Sequence, residues 1–137
     1  MTEEDYGRYV AAFNARRYDD LCTFFAPDVV LETVGREIVG HQGIKDFYGF
    51  FHDHVKETVQ MRDFLGSDRL TFVDAVISFE GIDDLTQEML DARGYGGMTP
   101  VPKGVKVDVN FLIRYRQRPD GLIEHVRCGV YPDVTPN

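Results

Sequence analysis

Residues 24–51, FFAPDVVLETVGREIVGHQGIKDFYGFF, hold the pattern on which the fold turns. Val29, Leu31 and Thr33 alternate with Val30 and Glu32, the period-two signature of a strand. Gly35 marks a turn, and Arg36 to Val39 return antiparallel before Gly40 closes the hairpin. Ile44, Phe47, Tyr48, Phe51 and Val55 then recur at helical spacing, which predicts a third helix with one aromatic stripe, fading near Glu57 or Thr58.

The flanks extend this pattern in both directions. Thr2 followed by Glu3, Glu4 and Asp5 is an N-cap with an acidic first turn, and Tyr6, Tyr9, Val10 and Phe13 continue a helix from it. A short second helix starts at Asp19 or Asp20 and runs through Phe25, ending before Pro27. Beyond the third helix, Val59 to Leu65 and Leu70 to Glu80 form two strands around a turn at residues 66–69. Residues 81–104 are irregular, with a short helix around Leu85 to Leu90 and many glycines and prolines, and they are expected to close over a pocket as a lid. Val105 to Arg116 and Leu122 to Tyr131 complete a hairpin about Pro119-Asp120-Gly121. Helices followed by hairpin-linked strands predict an α+β fold with a mostly antiparallel sheet.

At 137 residues and 43% hydrophobic content, the chain fits one domain over 1–137 with a single core. A formal net charge of −8 argues against a nucleic-acid partner, and no run is long and apolar enough for a membrane helix. Cys22 and Cys128 stand too far apart to suggest a disulfide framework or metal spacing, so a cytoplasmic protein is expected. His52 and His54 lie two apart on a helix, about 200° around it, and cannot share a metal. No phosphate-binding loop appears, so neither metal nor organic cofactor is expected.

The order FxPD, apolar strand, turn and G-x-x-x-I-x-x-F-Y resembles the nuclear-transport-factor-2-like superfamily, in particular the SnoaL-type polyketide cyclases, and is similar to ketosteroid isomerase. That resemblance implies a cone: a curved sheet wrapped around three N-terminal helices, with an apolar pocket inside. It places Tyr9 at the oxyanion-hole tyrosine of the isomerases and Tyr48 at a second tyrosine bonded to it. Thr33 occupies the position of their general base, and Phe111 that of their protonated aspartic acid. Steroid isomerisation by their mechanism is therefore not expected, since an unactivated threonine hydroxyl does not abstract a carbon-bound proton.

Burial of the apolar face of the last two strands directs Phe111, Val126 and Cys128 inward and sets Asp108, Asn110, His125 and Arg127 outward as a polar cluster; with the face inverted, those four would instead form an acid/base site in the pocket. Asp63 shares a strand face with Val59, Met61 and Leu65; it is the candidate acid/base group if that face is internal, and a solvated carboxylate if it lies at the strand end. Tyr9 and Asp63 are thus the candidate catalytic residues, with Thr33, Tyr48, Phe111, Val126 and Cys128 as candidate substrate contacts. The resemblance implies a cofactor-independent isomerase, cyclase, dehydratase or epoxide hydrolase acting on a small apolar oxygenated molecule. The alternative is a non-catalytic ligand-binding or dimeric association module. A homodimer is expected through Phe72, Val76 and Leu112 on the outer sheet face.

Overall fold

A computed structural model describes residues 1–33 and 35–132, so the end of the expected 1–137 domain lies outside the described residues. The elements are α1 (Glu3–Asn14), α2 (Tyr18–Cys22), β1 (Phe25–Thr33), β2 (Arg36–Val39), α3 (Gly40–His54), β3 (Val55–Gly66), β4 (Leu70–Gly81), α4 (Gln87–Ala92), β5 (Lys106–Gln117) and β6 (Ile123–Val130). Six strands form one curved, open sheet in the order β2-β1-β6-β5-β4-β3. Every neighbouring pair is antiparallel except β1 with β6, which run parallel with Leu31 opposite Val126. Among the described residues, no helix is long and apolar enough to cross a membrane.

The N-cap at Thr2 is a full capping box: its hydroxyl accepts from the Asp5 amide while the Asp5 carboxyl accepts from the Thr2 amide. The helix it starts buries Tyr6, Tyr9, Ala12 and Phe13 against the concave face of the sheet. That face carries Val73, Ala75 and Ile77 of β4, Phe111, Ile113 and Tyr115 of β5, and Val126 of β6. The alternation of β5 thus sets the expected face inward, at roughly 25 cal/mol for each Å² of apolar surface withdrawn from water.

Several boundaries differ from the sequence expectation, and those around β1 and β3 bear on the site. The second helix stops at Cys22, and β1 already begins at Phe25, because Ile123 donates its amide to the Phe24 carbonyl and the following strand passes through Pro27. Pro27 lies in the stretch where the β1–β6 register shifts, between Phe25 and Val30, so its missing N–H breaks no regular ladder bond. The third helix ends at His54, and its terminal carbonyl accepts from the Ile82 and Asp83 amides. Consequently β3 starts at Val55 and takes in residues 55–58, including Glu57.

β3 also contains a bulge. Met61 pairs with Ala75, but Asp63 pairs with Asp74, so one extra residue in β3 reverses its alternation beyond Met61. Val55, Glu57, Val59 and Met61 face inward before the bulge, Phe64 does so after it, and Asp63 and Leu65 turn to solvent.

Candidate active site

The cone encloses a cavity of about 410 Å³ between the helices and the concave sheet face. α1 contributes Tyr6, Tyr9 and Phe13, and α3 contributes Phe47, Tyr48 and Phe51. The sheet contributes Leu31 and Thr33 from β1, Ile77 and Phe79 from β4, the inward series of β5, and Val126, Cys128 and Val130 from β6. Residues 98–101 cover one side, so the irregular segment does form part of the wall. That segment is anchored by the Leu85–Val101 bridge, by buried Leu85 and Leu90, and by Tyr95 edge-on to Phe47 at 5.2 Å.

Among the described residues lining this cavity, Glu57 is the one carboxyl group, and none is Lys, Arg or His. It stands on β3 opposite Phe79, beside Val59. Its side chain is 8% exposed, and its Oε1 lies 3.1 Å from His52 Nε2, whose ring is fully enclosed. His52 stacks on Tyr48 with ring centroids 5.2 Å apart and meets the edge of Phe13 at 5.4 Å. Asn14 pins the edge of β3 at this level, donating to the Val59 carbonyl at 3.0 Å and accepting from its amide at 2.9 Å.

The other polar groups on the wall are held neutral. Burial pushes the Tyr9 and Tyr48 phenols well above their usual pKa; the Glu57 charge is the next cause for Tyr48 and a minor one for Tyr9. Burial, reinforced by Glu57, pushes the Cys128 thiol up to about 12, so it is neither a thiolate nor a nucleophile near neutral pH. Tyr6 and Tyr115, with hydroxyls 2.8 Å apart, are raised by burial too. The wall thus offers one carboxyl and several phenolic donors in an otherwise apolar surround, the arrangement that proton transfer at carbon requires.

Tyr9, Thr33, Tyr48, Phe111, Val126 and Cys128 all line this cavity. Asp63 does not; it is exposed on the outer side of the β3 bulge. Asp108 and His125 are on the convex face: Ser78 donates to Asp108, and His125 sits between Arg114 and Glu32. Sequence reasoning missed Glu57 and His52. The signal was present in V-K-E-T-V-Q-M over 55–61, where Val55, Glu57, Val59 and Met61 alternate. Val55 also continues the helical stripe of Phe47, Tyr48 and Phe51, so periodicity alone carried the helix too far.

The family model of the SnoaL-like domain matches residues 6–126. No curated protein matches the chain at a significant level. Among solved structures, a candidate polyketide cyclase from Silicibacter sp. TM1040 superposes with a TM-score of 0.74 at 19% identity, covering 93% of this chain and 87% of that one. TerC, co-crystallised with polyporic acid, gives 0.69 at 16% identity over 93% of this chain and 89% of its own. A protein of ketosteroid isomerase-like fold from Catenulispora acidiphila DSM 44928, in complex with trimethylamine, gives 0.69 at 15% identity over 94% and 86%.

Proposed function

The chain belongs to the SnoaL-like domain family, and from that premise we propose that it is a cofactor-independent acid/base enzyme for a small, largely apolar oxygenated molecule. The observation that carries this reading is the Glu57 carboxyl, 8% exposed and lining an aromatic cavity. In this role Glu57 removes a proton from a carbon next to a carbonyl, and the Tyr9 or Tyr48 hydroxyl stabilises the enolate oxygen. Both phenols keep their hydrogen at working pH because burial holds them neutral, so they remain donors. An isomerase, cyclase or dehydratase differs only in the fate of that enolate. Two structural neighbours bound to small molecules, polyporic acid and trimethylamine, support a ligand in the cavity.

The test uses α-proton exchange of small lipophilic ketones such as 2-tetralone in deuterated water, monitored by NMR. We expect exchange above the buffer rate, reduced by about a hundredfold or more in Glu57→Gln, the contribution typical of a positioned general base. Ketones that bind throughout such a panel yet exchange at the buffer rate would instead leave a ligand-binding module.

A further inference from the structure

Behind Glu57, a polar chain leads out of the apolar interior. His52 Nδ1, on the side of the ring away from Glu57, is 2.7 Å from the Tyr18 hydroxyl oxygen. Two other groups meet the same oxygen: Arg16 Nε at 3.1 Å and the Tyr48 carbonyl at 3.2 Å. Arg16 Nη2 is itself tied to Asp53 at 3.1 Å, and Arg16 holds a left-handed backbone with φ of 59°. That conformation is unfavourable for a side chain of this kind, so the surrounding structure imposes it.

A phenol has one hydrogen and two lone pairs. The guanidinium can only donate to it, and the carbonyl can only accept from it. The single phenolic hydrogen is therefore directed to the Tyr48 carbonyl, leaving the oxygen to accept from Arg16 and from the imidazole. Were the hydrogen turned to His52 instead, the phenol and carbonyl oxygens would face each other at 3.2 Å with nothing between them. We infer that Tyr18 is a positioning residue that holds His52 protonated at Nδ1, so that one shared proton occupies the contact between His52 Nε2 and Glu57 Oε1.

This deepens the reading of Glu57 as base and rests on it. With Oε1 engaged by His52, Oε2 is the oxygen left for the ligand. When the substrate C–H bond breaks, its electron pair stays on the substrate as the enolate and an O–H bond forms at Oε2. The shared proton then moves wholly to Nε2, giving a neutral carboxyl and an imidazolium. Return of the proton from Oε2 to the substrate reverses both changes, so the pair gains and loses one proton per cycle.

Nitrogen-15 NMR of the ligand-free protein near neutral pH tests this without any substrate, because protonated and unprotonated imidazole nitrogens resonate far apart. We expect His52 Nδ1 to be of the protonated type in the wild type, and to become unprotonated in Tyr18→Phe, where Nδ1 has lost its acceptor and releases its proton to solvent while Nε2 keeps the proton it shares with Glu57. An unprotonated Nδ1 in the wild type overturns the inference, as does an unmoved spectrum in folded Tyr18→Phe. If that variant does not fold, the wild-type spectrum still decides. Glu57→Gln should keep Nδ1 protonated while losing α-proton exchange. A wild type that has the expected spectrum but no exchange would sink only the catalytic reading.

Discussion

Tyr9 reaches the cavity from α1 with its ring stacked on Tyr6 at 5.3 Å and edge-on to Phe24, Phe25 and Tyr115. Those contacts hold the ring whether or not the hydroxyl is present, so Tyr9→Phe separates chemistry from packing. If the hydroxyl stabilises an enolate, its removal raises the barrier by about 3 kcal/mol, roughly a hundredfold in rate. Thermal unfolding should change little, by the equivalent of about 1 kcal/mol for one lost hydrogen bond. Unchanged ketone exchange in this variant would remove Tyr9 from the reaction and leave Tyr48 as the donor. Tyr9 and Tyr48 were reachable from sequence through the family resemblance, each on a helix whose apolar stripe is legible in the spacing. Glu57 could not be found in that way. It lies three residues past a helix end, and the bond that ends the helix comes from residues 82 and 83, across a distance no local pattern reports.

At the scale of elements, the same limits decide which boundaries were legible. The two long strands β4 and β5 announce themselves by strict alternation, and their register leaves no slip over eleven residue pairs. The bulge in β3 is different: Val59, Met61, Asp63 and Leu65 alternate in sequence, yet only the pairing with β4 reveals that the face reverses after Met61. The cover over residues 82–104 was legible as irregular chain but not as a packed element. Its Leu85 and Leu90 join Phe50, Phe51 and Val55 in a small core of its own. Gly81 is the pivot between this cover and β4: its amide donates to Val105 at 2.8 Å and its carbonyl accepts from Gly104 at 2.7 Å. A Cβ at Gly81 would collide with the Pro102 carbonyl oxygen, a backbone atom that cannot swing aside. Gly81→Ala should therefore cost about 1–3 kcal/mol, the usual range for overpacking. Hydrogen exchange locates the damage, with the Leu85, Tyr95 and Val101 amides exchanging faster while β4 and β5 stay protected. Equal loss across the sheet would show that the cover is no separate unit.

At the scale of the whole molecule, the convex side of the sheet is the surface left without a layer. Phe72 and Leu112 are 40% and 52% exposed there, among the ion pairs of Arg62 with Asp74 and Arg127 with Glu32. We propose that a second copy of the chain covers this face about a two-fold axis, since self-complementary pairing buries one patch twice. Sedimentation should give twice the chain mass at high micromolar concentration, and Leu112→Asp should return it to the monomer mass. A wild type that sediments as a monomer would remove the proposal. The parallel seam between β1 and β6 has a separate consequence, which concerns order in time. Val30 pairs with Val39 on one side, but its partner on the other is His125, about two-thirds of the chain length away. β2 covers one edge of β1 from nearby in the chain, but the other edge has no partner until β6 is available. The helices that line the cavity thus precede in sequence the strand that closes its wall, and such distant pairing is slow to form. Closing the cone is therefore expected to be slow for a chain of this size, a cost set by topology rather than by any one side chain.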